Sequence, residues 1–303
     1  MGTVTRPAAL CVSFLTALTL LLPAYAATAP LAEDAFLARQ KSFIGRLYTE
    51  KDYFNCIAET RRLISRFPGL SQTADYLYSI EMNYFLWGQY KTAAARYEHT
   101  PGASFRRALL GAEAYGALNR HDRALEILGG LEKKALSLEE RRAVLLRSTD
   151  HLLYKAEYGA ALLKARSWSA DFPDDTAVSS LARDLARYRE LPFKSPALAA
   201  GLSALLPGAG QLYAGRPRDG VISIVSLGVL TAGSLLSFRR GNRTAGASLG
   251  VMAALVYGGT VLGARNAAEA RNRRVHGSYQ DSLRRDHIPP YAPEKYFSPG
   301  FAP

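Results

Sequence analysis

Five histidines, His99, His121, His151, His276 and His287, are the first residues to consider for metal binding or acid–base chemistry, and their spacing serves neither. No two stand in an H-E-x-x-H arrangement and none is matched to cysteines at finger spacing, so no metal site is expected. Two acidic pairs, Glu139-Glu140 and Asp174-Asp175, could divide acid and base work between them. Each stands beside an expected helix start, however, where negative charge complements the helix dipole. No nucleophile elbow is present. The glycine-rich string LLPGAGQLYAGRPRDG at residues 205–220 lacks the Gly-Lys-Ser/Thr ending with which a phosphate loop holds a nucleotide. With no catalytic residue and no cofactor in view, the chain reads as a non-enzyme, and its function has to be sought in what it binds.

The chain opens with MGTVTRPAALCVSFLTALTLLLPAYAATAP, in which one Arg precedes an apolar run from Ala8 to Leu22 and Ala24-Tyr25-Ala26 follows. That is the layout of a secretory signal peptide over residues 1–26, with cleavage expected after Ala26; the alternative is an uncleaved anchor. A lipoprotein anchor does not fit, because Cys11 precedes most of the apolar run. Loss of Cys11 leaves Cys56 alone, so the mature chain has no internal disulfide, and Cys56 reads as a small buried hydrophobe. The formal net charge of +12 is uneven: residues 27–190 hold 24 Lys+Arg against 21 Asp+Glu, and residues 191–303 hold 13 against 5. The excess lies beside apolar stretches, where arginines reflect topology and attraction to anionic headgroups, so a membrane lipid surface and no nucleic acid is expected as partner.

Residues 33–190 show apolar residues at three- and four-residue spacings, which predicts an all-α domain. Four segments align: LYTEKDYFNCIAETRRLISRFP, YFLWGQYKTAAARYE, YGALNRHDRALEIL and LLYKAEYGAALLKARSWSADFP. Each carries a large residue, a short polar turn, an aromatic residue or His, and a small residue three further on. The small residues Cys56, Ala93, Ala124 and Ala161 are 37, 31 and 37 apart, the period of a two-helix repeat. Each hairpin leaves an apolar face that only a neighbour can cover, which predicts a stacked superhelix.

The segments resemble tetratricopeptide repeats (TPR). Tyr53, Tyr90, His121 and Tyr158 match the residue opening the second helix of each unit, Pro68 and Pro173 match its terminal Pro, and Gly88 matches a turn glycine. The Trp-Leu-Gly signature of the first helix is absent and the third unit is short, so a generic helical solenoid stays open. The resemblance implies a TPR-like helical-hairpin solenoid whose first helices line a groove for a peptide or protein partner. Carried over residue by residue, the lining positions are Lys41, Tyr48, Tyr78, Met82, Phe85, Arg106, Glu113, Asp150 and Tyr154. Aromatic residues among charges suit peptide binding, although each aromatic taken alone also suits helix packing.

The composition changes after Leu191-Pro192. A glycine-rich membrane module is expected over residues 193–275, with a transmembrane helical hairpin formed by spans near 221–238 and 244–264, the two uncharged stretches long enough to cross a hydrocarbon core of roughly 30 Å. Gly246 and Gly250 form a G-x-x-x-G pair for helix packing. The alternative is a soluble apolar hairpin. The string before the first span resembles a glycine-rich motif at the end of many exported TPR proteins of Gram-negative bacteria, the match resting on Gly208, Gly210, Gln211, Tyr213, Gly215, Arg216 and Gly220. Pro207 and Gly208 interrupt the apolar helix that begins near Ala197, freeing backbone groups that protein or water must cover. If residues 197–215 only dip into the membrane, the Arg239–Arg243 connection lies in the cytoplasm; if they cross, positive-inside counting improves but the helix break argues against it.

The tail at 276–303 is Pro-rich and aromatic and is read as extended or flexible, with a composition suited to partner binding. These features lead to a non-enzymatic scaffold held at the inner membrane, with its repeats in the periplasm, serving protein–protein interaction in the cell envelope. The alternative is a receptor or membrane-active component of a transport or membrane-insertion assembly.

Overall fold

The computed structural model describes residues 35–69, 73–99 and 102–296. The expected signal peptide (1–26), its cleavage site and Cys11 lie outside the described residues, as does the tail beyond residue 296. Among the described residues the chain is all-helical, with thirteen α-helices and no strand. Helix α1 covers residues 35–49. It is followed by α2 (Tyr53–Arg66), α3 (Thr73–Leu86), α4 (Tyr90–Glu98), α5 (Phe105–Ala117), α6 (His121–Glu132), α7 (Leu138–Tyr154), α8 (Tyr158–Asp171) and α9 (Thr176–Ala186). The last four are α10 (Pro196–Leu205), α11 (Ala209–Tyr213), α12 (Pro217–Arg239) and α13 (Arg243–His287).

One turn recurs along the chain. Tyr53, Tyr90, His121 and Tyr158 each open a helix, and the residue two before each has left-handed backbone: Lys51 (φ 60°), Gly88 (φ 76°), Asn119 (φ 60°) and Ala156 (φ 58°). The next amide in each turn, of Asp52, Gln89, Arg120 and Glu157, donates at 2.9 Å to the carbonyl five residues back, which satisfies the end of the preceding helix. Gly and Asn adopt that backbone readily, whereas the Cβ of Lys51 and Ala156 opposes it. Three residues into each new helix stands a small side chain, Cys56, Ala93, Ala124 or Ala161, each at most 2% exposed. Side chains cap two other starts: Ser137 and Glu140 exchange hydrogen bonds ahead of α7, and Asp175 accepts from the Val178 amide at the head of α9. Glu139-Glu140 and Asp174-Asp175 therefore sit at helix starts.

The chain divides into two compact units, one holding residues up to His151 together with Pro290 onward, the other running from Leu152 to Pro289. The division falls inside α7, not near residue 190 as expected from composition. In the first unit α3 is buried on two sides: Tyr76 packs with Ile44, Leu47, Cys56 and Leu63, while Tyr78 and Met82 pack with Leu110 of α5. Glu81, 1% exposed, lies between Arg107, whose Nε donates to it at 2.8 Å, and Arg96, whose Nε is 3.9 Å away, so one carboxylate joins α3, α4 and α5. Cys56 is a free, buried thiol, pushed up to about 11 chiefly by burial, in keeping with a packing role.

In the second unit α12 and α13 form an antiparallel hairpin about Gly241. Ser234 Oγ donates to the Gly246 carbonyl at 2.8 Å, and a Cβ on Gly246 would meet the Phe238 ring at 2.8 Å. Gly250 faces the Ser234 hydroxyl. Both helices are long and apolar enough to cross a membrane by length and composition. Helix α13 does not end near residue 275, however. It runs for 45 residues, about 68 Å, through the stretch expected to be extended, ending at His287. The reason is a second packing surface: Tyr279 donates to the Asp184 carbonyl, His287 Nε2 lies 2.8 Å from the Asp184 carboxylate, and the Tyr158 hydroxyl and His276 Nε2 are 3.1 Å apart. These contacts bring α8 and α9 into the same compact unit as α13.

Candidate functional site

The first unit presents an aromatic face on α3 and α5, and the segment Pro290–Tyr296 lies against it. On α3, Tyr78, Met82 and Phe85 recur at four- and three-residue spacing and so share a side. The Tyr78 hydroxyl donates to the Pro293 carbonyl at 2.8 Å, and the Tyr48 hydroxyl donates to the Glu294 carboxylate at 3.1 Å. Tyr291 meets Phe85 edge-on, with ring centroids 5.5 Å apart, and Tyr296 meets Phe105 edge-on at 5.8 Å. A 3-10 turn at Pro293–Tyr296 brings Tyr296 back so that it stacks with Tyr291 at 6.2 Å. Arg106, paired with Asp75, holds its guanidinium 4.9 Å from the Tyr78 ring centroid.

Burial raises the phenols of Tyr48, Tyr78 and Tyr291 well above the ordinary tyrosine value, and the nearby Glu294 carboxylate reinforces the shift at Tyr48. These side chains act at neutral pH as hydrogen-bond donors and apolar walls, not as phenolate bases. Beside them Glu113 places its two carboxylate oxygens 4.0 Å from Arg147 Nη1 and 3.7 Å from His151 Nε2. His151 and His121 bring their Nδ1 atoms to 3.2 Å, across a Gly116 whose Cβ would collide with the His151 ring. No group of three or more metal-ligating side chains that could hold an ion occurs among the described residues.

Of the positions assigned from sequence, Tyr48, Tyr78, Met82 and Phe85 are brought together against the tail, with Arg106 and Glu113 beside them. Lys41 is half-buried on α1, and Asp150 is buried on α7. Tyr154 belongs to the other unit, where its ring lies 3.9 Å from the Arg284 guanidinium, so it is not part of this face. Sequence reasoning missed Phe105, Leu110 and the occupying residues Tyr291, Pro293, Glu294 and Tyr296. The aromatic and Pro content of the tail was their only signal.

The glycine-rich motif forms a separate constellation within the second unit. Gly208 (φ 90°) starts α11 after the break at Leu206-Pro207, and Gly215 (φ 80°) ends it before Pro217 opens α12. The Gly210 amide donates to Ser203 Oγ at 2.9 Å, Ser203 Oγ donates to Gln211 Oε1 at 2.8 Å, and Gln211 Nε2 donates to the Thr260 carbonyl at 2.8 Å. This buried chain ties α10, α11 and α13 and covers the backbone freed by the break. A Cβ on Gly210 would lie 1.9 Å from the Ala199 carbonyl oxygen, and one on Gly220 would lie 2.9 Å from the Gly208 carbonyl oxygen. Tyr213 packs on Ala199, Ala264 and Ala268, and its hydroxyl accepts from the Ser195 amide at 3.2 Å. Arg216 pairs with Asp219 at 3.2 Å. The motif residues thus act on one another as packing and hydrogen-bonding partners.

No family model matches the chain, and neither a curated protein nor a solved structure matches it.

Proposed function

We propose that the chain is a non-enzymatic scaffold of the cell envelope, anchored in the inner membrane by α12 and α13, with tetratricopeptide-like repeats in the periplasm that bind a peptide segment of a partner protein. The observation that carries this reading is the pairing of an aromatic face able to hold a short segment of chain with a helical hairpin whose apolar side chains face outward. On α12, Val221, Ile222, Val225 and Val229 are exposed, and on the first half of α13 Val251, Met252, Leu255 and Leu262 are exposed. A contiguous apolar surface of that kind is disfavoured in water and suited to lipid. The repeated helix starts at Tyr53, Tyr90, His121 and Tyr158, with a small buried residue three further on, support the repeat reading.

Two spans fit better than three. Helix α10 has 10 residues, about 15 Å, half of the hydrocarbon thickness. It therefore dips into the interface beside α12 and α13, and the Arg239–Arg243 connection lies in the cytoplasm. The alternative of a membrane-active transport component draws on the broken helix, but the Ser203–Gln211–Thr260 chain gives that break a structural role.

The scaffold reading is tested by crosslinking intact membranes and recovering the protein with its neighbours. Recovery of a discrete partner that is lost with Tyr78→Ala and Phe85→Ala, in variants that still insert, is the expected result. An unchanged set of neighbours in both variants counts against it.

A further inference from the structure

The face on α3 and α5 already holds a ligand, and the ligand's chemistry can be read from it. Within Pro290–Tyr296, Tyr291, Pro293 and Tyr296 turn inward, whereas Pro290, Ala292, Glu294 and Lys295 are exposed. The two tyrosines have separate aromatic seats, Phe85 and Phe105. Pro293 has no N–H that would need an acceptor, and its carbonyl accepts from Tyr78. The Glu294 carboxylate accepts from the Tyr48 hydroxyl, so the position takes a hydrogen-bond acceptor. Every one of these contacts is made by a side chain or by one carbonyl of a seven-residue stretch, and none depends on the chain that precedes it.

Resting on the scaffold reading above, we propose that this face recognises a Tyr-x-Pro-Glu-x-Tyr peptide on a partner protein, and that residues 291–296 are a tethered competitor for the same seat. A tethered segment acts at an effective concentration of about 1 mM, so a free peptide with Kd of roughly 10–100 µM binds about tenfold to a hundredfold more weakly while the tail is docked. A partner presenting the motif at high local concentration displaces the tail, which couples partner capture to release of the C-terminus.

The experiment uses the full chain in detergent micelles and a fluorescent peptide of residues 288–296, IPPYAPEKY. The tail variant Tyr291→Ser/Tyr296→Ser, which leaves the face intact, is expected to bind this peptide at least tenfold more tightly than the unaltered chain. Adding Tyr78→Phe weakens that binding roughly fivefold, the loss of one ordinary hydrogen bond. Equal or absent binding in the tail variant, with the Trp87 unfolding transition of the first unit retained, overturns the proposal. A second readout needs no release of the tail: Tyr78→Phe in the otherwise unaltered chain speeds tryptic cleavage after Lys295 roughly fivefold, and an unchanged rate contradicts tail docking. Exchange of tails between two copies, seen as a dimer lost on Tyr296→Ser, also overturns the tethered arrangement. Peptide binding without any cellular partner bearing the motif removes the scaffold reading and leaves this one. A captured partner without peptide binding does the reverse.

Discussion

Glu81 joins the three helices that carry and flank the aromatic face, and Glu81→Gln is the perturbation that tests its part in holding them. Glu81 is 1% exposed and its carboxylate is shared by Arg107 of α5 and Arg96 of α4, while Tyr78 and Phe85, three residues before and four after it, neighbour it on the same helix. Glutamine keeps the size and removes the charge, leaving two guanidinium groups without their shared counter-ion. Deleting one partner of a fully buried pair costs about 3–5 kcal/mol. Here the arginine side chains are 13% and 29% exposed, so water offsets part of the loss and about 2–3 kcal/mol is expected. For a unit of this size that corresponds to a fall of roughly 5–10 °C in Tm. The assay is urea and thermal unfolding of the full chain in detergent with Trp168→Phe as background, so that Trp87 alone reports on the first unit. A double-mutant cycle with Arg107→Met separates the pair from its surroundings. A loss below about 0.5 kcal/mol, or strict additivity with Arg107→Met, would refute the reasoning that this ion cluster holds α3, α4 and α5 in register.

Three further outcomes follow from other parts of the molecule. Lys51→Gly and Ala156→Gly relieve left-handed backbone at two helix ends and should each stabilise by about 0.5–1 kcal/mol, read as a shift of the urea midpoint, whereas the same change at Lys133, whose backbone is right-handed, should destabilise. Gly210→Ala puts a methyl group against the Ala199 carbonyl and should disrupt the helices around the motif, while Gly228→Ala, with nothing within 4 Å, should leave the protease resistance of α12 and α13 unchanged. Because burial raises the Tyr48, Tyr78 and Tyr291 phenols in the docked state, tail docking is fully present below the free tyrosine value near pH 10 and is lost as pH rises past it. Release of the tail, read from the fluorescence of a dye on a cysteine placed at Lys295 in a Cys56→Ala background, should therefore be flat from pH 7 to about 9.5 and rise above pH 10, and a flat signal to pH 11.5 would contradict the burial of these groups.

The local features of the chain were the ones legible in its sequence. Tyr53, Tyr90, His121 and Tyr158 fall on helix starts because polar turn residues and a small residue at fixed offset are short-range signals. The turn backbone at Lys51 and Ala156 was not legible, since neither residue type announces a positive φ. The length of α13 was misjudged because the prolines and aromatic residues of 276–303 suggested one extended tail, although the prolines begin only at Pro289. The helical signal was His276, Tyr279 and Leu283, which share one face of α13: His276 meets Tyr158, Tyr279 donates to the Asp184 carbonyl, and Leu283 is buried. The aromatic face was readable as a set of residues through the repeat resemblance, with Tyr154 as its misplaced member. Its occupant was not readable, because Tyr78 and Pro293 are 215 residues apart and no periodic pattern encodes a contact at that range.

The central claim is that the helical repeats lie outside a membrane that α12 and α13 enter. It is tested most directly by single cysteines placed at exposed Phe54 on α2 and at exposed Arg240 in the hairpin connection, in a Cys56→Ala background, with a membrane-impermeant maleimide applied to spheroplasts. The account predicts labelling at position 54 in intact spheroplasts and at position 240 only after lysis. Labelling at position 54 only after lysis would contradict it.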